Sequence, residues 1–229
     1  VLGTLLLAIL AGHRRYAHIT ALRGDAVAAK ALGMDKVISE DAMRRALARM
    51  DEAASSAWLR PALMNSVREA LSQPWVMDID ASIKPLYGRQ EGAELGYNPH
   101  KPGRPSHVLH TYWVGNLRLV LDVQLSPGKQ HTSAHAKAGL GQLLDELGAQ
   151  RPTLVRGDCG YGNEGILLTL EQRGQAYLLR LRQTKNVQRL LQRQFGRSDW
   201  SHADAQGFQA VEDEIKLAGW SQKRRVVIV

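Results

Sequence analysis

The stretch WVMDID, residues 75–80, is the point at which the sequence changes from a helical to an alternating pattern. Successive side chains of a strand point to opposite faces, so every second residue of this stretch shares a face. One face carries Trp75, Met77 and Ile79, and the other carries Val76, Asp78 and Asp80. The stretch therefore predicts a strand with one apolar face and with two carboxylates on the other face near its end.

Two further alternating runs lie downstream of this strand. Residues 107–114 and 117–125 are separated only by Gly115-Asn116, a pattern typical of a two-residue hairpin. Residues 88–106 are rich in glycine and proline, which favours a loop. We therefore expect three strands that form an antiparallel meander.

Helices and strands alternate after the hairpin. One predicted helix has Thr132 or Ser133 as its N-cap and ends at Gly148, and the next begins at Asn163 and ends at Gly174. The predicted strands cover 153–158 and 176–182, and a basic helix covers 186–195 before a strand-rich end. This order specifies an α/β fold, a mixed sheet flanked by helices, as found in ribonuclease H-like domains.

The residues before Pro74 are helical in character. A short helix is predicted over 26–34, and Ser39 stands at the N-cap of a second helix with Glu40 and Asp41 in its first turn. The second helix is rich in arginine, so the pair fits a DNA-binding helix-turn-helix. An ordinary helical hairpin fits the same spacing, and both interpretations stay open.

Composition excludes several classes of protein. The chain has 229 residues and is 44% hydrophobic, enough for a packed core, and its one cysteine excludes a disulfide framework. The apolar run over 1–10 is shorter than the ~20 residues that span a bilayer, and no basic stretch precedes it as in a signal peptide. We expect a cytoplasmic protein that does not interact with membranes.

The net charge favours a nucleic-acid partner. Lys and Arg total 30 against 22 Asp and Glu, a formal charge of +8. Residues 173–197 contain seven of these cations and no acid: Arg173, Arg180, Arg182, Lys185, Arg189, Arg193 and Arg197. Arg180 and Arg182 are predicted on one strand face, and the last four recur every fourth residue on one helix face. Together with Lys101 and Arg104 of the proline-rich loop they predict contacts with a DNA backbone, although a solvated helix face is the alternative.

Asp80 and Asp158 are the predicted metal ligands. Asp80 ends the first strand and Asp158 the fourth, and neighbouring strands would bring both to one cavity. Carboxylate oxygens are the ligands that Mg²⁺ and Mn²⁺ prefer, and two such ions ~3.5–4 Å apart support in-line displacement at phosphorus. Each aspartate could instead cap a loop.

Other acidic residues are weaker candidates. Asp78 could be a partner that supports the metal ligands, a spare ligand or a satisfied polar residue, Asp122 is predicted on the outward face of its strand, and Glu164 complements a helix dipole. We interpret Cys159 as a packing residue rather than a nucleophile.

Two longer motifs resemble a known family. The stretches DIDASIKPLYGRQEGAELGYNPHKPGRPSH (78–107) and RGDCGYGNEG (156–165) resemble the DDE transposases of bacterial insertion sequences, in the branch with a β-rich insertion inside a ribonuclease H-like domain. The resemblance implies three carboxylates that bind Mg²⁺ or Mn²⁺, nick element ends and join the freed 3′-hydroxyls to target DNA. Asp80 matches the first catalytic aspartate and Asp158 the second. The resemblance also implies assembly on DNA as a homodimer or a higher oligomer.

One departure from the family pattern stands out. The third carboxylate of the family lies within a pattern of Tyr, Arg, Glu and Lys that this sequence lacks, and residues 200–229 look like the opening of the insertion. We therefore expect a truncated transposase that is inactive alone. The expected parts are a helical, DNA-binding region (1–73), an incomplete catalytic domain (74–198) and the start of the insertion (199–229). The alternatives are a nuclease without strand transfer and a catalytically dead DNA-binding remnant.

Overall fold

The computed structural model describes residues 1–130 and 132–229, and of residues 132–136 the backbone alone. His131 and the predicted cap side chains of Thr132 and Ser133 therefore lie outside the described residues. The chain divides into two compact units, Val1–Pro61 and Ala62–Val229. Within the described part of the chain, no helix combines the length and the apolar character needed to span a membrane.

The first unit is helical, as the sequence predicts. It contains α1 (Leu2–Leu10), α2 (Ile19–Arg23), α3 (Glu40–Ala48) and the start of α4 (Glu52–Val67). Ile19 and Met43 are fully buried at its centre, and Ala8, Ala29 and Val37 complete that core. The unit therefore has a core of its own.

The predicted N-cap at Ser39 is confirmed, whereas the helix predicted over 26–34 is wrong. The Ser39 hydroxyl accepts the N–H of Ala42 at 3.2 Å, which satisfies one of the free donors at the start of α3. The segment before it has only a 3₁₀ turn, Lys30–Leu32, which Gly33 ends at a φ of 63°. The carboxylate of Asp25 accepts from the N–H groups of Val27 and Ala28, which holds the start of this segment in a turn. Of the two helices predicted in this region, α3 alone forms, so the structure contains neither the predicted helix-turn-helix nor the predicted helical hairpin.

The second unit contains the predicted mixed sheet. Its strands are β1 (Val76–Pro85), β2 (Ser106–Val114), β3 (Leu119–Pro127), β4 (Leu154–Gly157) and β5 (Tyr177–Leu179). Their spatial order is β3-β2-β1-β4-β5, with the first three antiparallel and with β4 and β5 parallel to β1. The α/β fold with a ribonuclease H-like sheet is thus confirmed.

Helices α5 (Thr132–Leu147) and α6 (Glu164–Glu171) share the main core with the sheet. The predicted apolar face of β1 is buried, as is the predicted stripe of α5: Trp75, Met77, Ile79, Leu140, Leu143, Leu144 and Leu147. The Trp75 indole N–H donates to the carbonyl of Gln150 at 3.0 Å, so this large side chain is also satisfied as a donor. The carboxylate face of β1 is the opposite one.

The hairpin between β2 and β3 departs from the prediction. Its turn spans four residues, 115–118, rather than two, and Arg118 takes a φ of 55°. A β-bulge follows, because Tyr112 pairs with Asp122 whereas Trp113 pairs with Val120. The extra residue places Asp122 on the buried side, where its carboxylate accepts from the N–H of Val123 and from Gln124. The outward orientation predicted for Asp122 is therefore wrong.

The C-terminal part is strand-rich, as predicted. Helix α7 (Lys185–Gln194) is followed by β6 (Val211–Ile215) and β7 (Arg224–Ile228), which pair as an antiparallel two-stranded sheet. Leu167 of α6, Leu190 of α7 and Trp220 of the β6–β7 connection are buried in one apolar cluster. This cluster attaches the hairpin to the helices beside the main sheet.

Candidate active site

Asp80 and Asp158 lie at neighbouring positions of two parallel strands. Ile79 pairs with Gly157, the last residue of β4, so Asp80 and Asp158 are the next residue on each chain. Adjacent strands are ~4.8 Å apart. Both carboxylates are exposed. The predicted approach of the two side chains therefore follows from the register, although Asp80 lies in the middle of β1 and not at its end.

Gly157 allows this close packing of the strands. A Cβ at position 157 would lie 2.8 Å from Cγ1 of Ile79 and 3.1 Å from Cδ2 of Leu179. Because Gly157 has no side chain, Ile79 of β1 and Leu179 of β5 can both pack against the end of β4. The two carboxylates project from the opposite face at the next position.

The loop that carries Asp158 is fixed by local hydrogen bonds. Oδ1 of Asp158 accepts the N–H of Gly160 at 2.9 Å, and Oδ1 of Asn163 accepts the N–H of Ile166 at 3.3 Å as the N-cap of α6. Gly162 lies against the chain after β5, where a Cβ would be 2.9 Å from the carbonyl oxygen of Arg180. No residue in the described ranges donates a hydrogen bond to Oδ2 of Asp158 or to the carboxylate of Asp80.

Tyr161 is a buried aromatic residue of the turn that carries Asp158. Its ring is buried, and burial raises the pKa of its phenol far above the ordinary value. The nearby groups of Tyr112, Asp80 and Asp158 raise that pKa further. One phenol therefore lies within electrostatic reach of both aspartates.

Asp78 is a satisfied polar residue. Its two carboxylate oxygens accept from Nε and Nη2 of Arg156 at 2.7 and 2.8 Å, a bidentate pair between register partners of β1 and β4. This ion pair raises the pKa of Arg156. A Cβ at Gly115 would lie 2.2 Å from Oδ2 of Asp78, so the carboxylate also rests against the hairpin turn.

Glu164 is bound away from the aspartates. Hydrogen bonds from Arg224, and then from Ser221, lower the pKa of Glu164 to about 2. Arg224 also binds Glu171, with nitrogen–oxygen distances of 2.6 Å to each carboxylate, and its side chain is 5% exposed. The predicted complementarity of Glu164 with the helix dipole is thus only part of its role, because its ion pair with Arg224 also joins α6 to β7. Sequence reasoning missed Arg224 because nothing in the pattern distinguishes it from the exposed Arg225.

The donor set suits a hard divalent cation. Two exposed carboxylates at adjacent strand positions supply oxygen ligands and leave room for water, which fits Mg²⁺ or Mn²⁺. Among the described residues, however, no group of three His, Cys, Asp or Glu side chains could hold a metal ion. Within that part of the chain, Asp80 and Asp158 therefore do not belong to a group of three such side chains.

Five cations lie on the segment after β5: Arg180, Arg182, Lys185, Arg189 and Arg193. The strand ends at Leu179, so Arg180 and Arg182 follow it rather than share one of its faces, which corrects the prediction. The other three are on one exposed face of α7, as predicted. None of the five forms an ion pair with a described residue.

The charges at the two ends of the basic stretch 173–197, those of Arg173 and Arg197, are neutralised, contrary to expectation. Arg173 donates to both oxygens of Asp145 at 2.9 and 2.8 Å. Arg197 lies beyond the end of α7, not on its basic face, and binds Asp199. Both pairs raise the pKa of the arginine and lower that of the aspartate.

The loop after β1 presents its cations around an aromatic ring. Nζ of Lys101 lies 5.7 Å and Cζ of Arg104 lies 4.3 Å from the ring centre of Tyr87, which is 67% exposed. Cys159, by contrast, was expected to pack, and it is exposed. It follows Asp158 at the turn before α6, where the chain leaves the sheet.

Comparisons with known proteins give one family. The family model for the transposase DDE domain, group 1, matches residues 1–229. No curated protein sequence matches the chain.

Three solved structures are similar at low identity. The piggyBac transposase synaptic complex with hairpin DNA shares 16% identity over 93% of this chain and 49% of that one, with a TM-score of 0.43. The Mos1 mariner paired-end complex with Mn shares 16% over 80% and 71%, with a TM-score of 0.32. A chain of the simian T-cell lymphotropic virus intasome in complex with PP2A regulatory subunit B56 gamma shares 16% over 54% and 38%, with a TM-score of 0.32. The chain thus spans about half or less of the intasome-complex and piggyBac chains.

Proposed function

The chain belongs to the transposase DDE domain group 1 family, and from that membership we propose that it cleaves and joins DNA at the ends of an insertion sequence, with Asp80 and Asp158 as metal ligands. The observation that carries this proposal is the β1–β4 register, which supports a shared site for the two aspartates.

The chemistry follows from the two carboxylates. Bound Mg²⁺ or Mn²⁺ would supply Lewis-acid polarisation of phosphate oxygens and stabilise charge that develops during phosphodiester hydrolysis and transesterification. Asp80 and Asp158 hold the cation from adjacent strands. The Gly160 N–H fixes Oδ1 of Asp158, so its orientation is set before the cation arrives.

The basic residues hold the DNA in this proposal. The phosphate backbone is contacted beside the carboxylates by the five cations after β5: Arg180, Arg182, Lys185, Arg189 and Arg193. It is also contacted by Lys101 and Arg104 of the loop between β1 and β2. The bound DNA is first an element end and then the target, in an assembly of two or more copies. The three-part domain division, with a DNA-binding region at 1–73, a catalytic domain at 74–198 and an insertion from 199, belongs to the same proposal, as does a cytoplasmic location.

The 229-residue chain alone is inactive in this proposal. Two carboxylates are one fewer than the three that the family resemblance implies, and the described residues provide no third ligand beside them. The longest reading frame that contains the chain is therefore the form in which to test catalysis.

The decisive test is a cleavage and strand-transfer assay. That longest reading frame is incubated with Mg²⁺ and with DNA carrying the element ends. We expect Asp80→Asn and Asp158→Asn each to reduce cleavage and joining by at least roughly 10³-fold, since each removes one charged ligand. Asp145→Asn is the matched control, because Asp145 is an exposed carboxylate paired with Arg173, and it should leave activity unchanged. Unchanged activity in the Asp80 or Asp158 variant refutes the assignment.

The same assay separates the alternatives. Cleaved ends without joined products indicate a ribonuclease H-like nuclease that lacks strand transfer. Salt-dependent DNA binding without cleavage, even from the longest reading frame, indicates a DNA-binding remnant.

A further inference from the structure

Asp78 and Arg156 lie two residues before Asp80 and Asp158 on the same two strands. Because side chains alternate, all four share one face of the sheet. Two residues along a strand span about 7 Å, so the ion pair lies one step along the strands from the carboxylate pair. A third carboxylate and a guanidinium therefore stand within reach of the proposed cation site.

Both oxygens of Asp78 are engaged by Arg156. They accept from the Arg156 fork, and Gly115 leaves just enough room for Oδ2 on the other side. A metal ion that takes the lone pairs used by this fork must displace the guanidinium, so metal ligation by Asp78 competes with the bidentate pair. Arg156 is held in turn, because the same pair directs its guanidinium toward Asp78.

We propose that Asp78 and Arg156 are positioning residues that restrain each other. Arg156 withholds the Asp78 carboxylate from the cation, and Asp78 withholds the Arg156 guanidinium from Asp80 and Asp158. The inference rests on the proposed function, since it concerns the metal that those two aspartates bind. It explains why this face carries three aspartates while only two are available as ligands.

Mn²⁺ binding to the 229-residue chain tests the inference without any catalytic readout. Free Mn²⁺ is measured by electron paramagnetic resonance during titration, in 0.1 M and in 1 M KCl. Arg156→Gln releases the Asp78 carboxylate, which can then contact the ion directly, and we expect Mn²⁺ to bind on the order of fivefold tighter at both salt concentrations, as for one contact between unit charges at about 4 Å in water. The double variant Asp78→Asn/Arg156→Gln should return to the parental affinity.

Salt separates direct restraint from a simple change of net charge. Arg180→Gln is the matched control, because it removes the same charge beside Asp158 but releases no carboxylate. The Debye length is about 3 Å in 1 M salt, so the effect of Arg180→Gln should disappear there, whereas that of Arg156→Gln should persist.

Two outcomes overturn the inference. The first is an Arg156→Gln variant that binds Mn²⁺ with the parental affinity. The second is an effect of Arg156→Gln that disappears in 1 M KCl together with that of Arg180→Gln. Loss of binding in Asp80→Asn identifies the measured site as the proposed one. Parental binding that does not depend on Asp80 instead refutes the proposed metal site, and this inference with it.

Discussion

The backbone N–H of Arg180 donates a 3.1 Å hydrogen bond to the carbonyl of Gly157, the residue directly before Asp158. This bond continues the pairing of β4 with β5 by one residue. The segment of five exposed cations, 180–193, therefore begins directly beside the second aspartate. A DNA strand that contacts the start of this segment therefore lies beside Asp158.

We expect the double variant Arg189→Gln/Arg193→Gln to weaken DNA binding regardless of sequence. Both side chains are on the exposed face of α7, where they would contact phosphates. Each lost phosphate contact should reduce the slope of log affinity against log salt by about 0.9, so the double variant should lose about 2. Fluorescence anisotropy with a labelled duplex at several KCl concentrations measures that slope.

The control for this prediction removes the same charge from the same window. Arg173→Gln/Arg197→Gln should leave the slope unchanged, because Asp145 and Asp199 already bind these two arginines. Equal losses of slope in the two double variants would mean that net charge, not the position of the cations, governs binding.

A second prediction concerns Arg224, which joins β7 to α6. Arg224→Met leaves the carboxylates of Glu164 and Glu171 together without their shared cation. We expect a loss of about 3 kcal/mol in the free energy of unfolding, the lower end of the range for a buried pair that loses one partner. Arg225→Met is the control: its pair with Glu212 is exposed and screened by water, so its loss should leave the free energy of unfolding nearly unchanged. Urea denaturation followed by circular dichroism measures both, and similar losses would contradict the special role of Arg224.

The same ion pair predicts how stability depends on pH. The pKa of Glu164 falls from its ordinary 4.5 to about 2 in the folded chain. A lowered carboxyl pKa stabilises the fold above the unfolded value and loses that effect as pH falls through the folded value. The unfolding free energy should therefore decrease between about pH 4.5 and pH 2 in the parent. Arg224→Met should show a weaker decrease over this range, and an unchanged pH profile in urea denaturation would contradict the assignment.

Local patterns were sufficient for much of the fold. The alternation of residues 75–80 predicted the buried face of β1, and the residue types of Ser39 and Asn163 predicted two helix caps, because these features depend on neighbours in sequence. That Asp80 and Asp158 are neighbours depends on the pairing of β1 with β4, which joins segments 78 residues apart and which the sequence analysis had to assume. The assignment of these two residues as metal ligands stays a prediction.

Several errors concern contacts between distant residues. Arg173 and Asp145 are 28 residues apart, so the sequence window alone could not show that this charge is neutralised. The bulge before Asp122 likewise depends on how two strands pair. Arg224 and Glu164 are 60 residues apart, and each is an ordinary charged residue in its own segment.

A third prediction concerns the packing under the aspartates. Gly157→Ala adds a Cβ 2.8 Å from the buried Ile79, so β1 and β4 must shift apart. We expect a loss of roughly 1–3 kcal/mol in the unfolding free energy and weaker Mn²⁺ binding. Gly196→Ala is the control, because nothing lies within 4 Å of its added Cβ, and it should change stability by less than about 0.5 kcal/mol. A stable Gly157→Ala variant with parental Mn²⁺ affinity would contradict the close approach of the strands.

The last prediction uses Cys159 as a reporter of DNA occupancy. This single cysteine is exposed and directly follows Asp158, so a thiol reagent should label the native chain at one site and should not label Cys159→Ser. If DNA lies across the aspartates and the segment 180–193, saturating duplex should slow labelling, because it covers the thiol. Arg189→Gln/Arg193→Gln should then need more DNA for the same protection, whereas Arg173→Gln/Arg197→Gln should not. If labelling proceeds at the same rate with and without bound duplex, the DNA lies elsewhere on the molecule. A strand that contacts Asp158 would also cover the thiol of the adjacent Cys159.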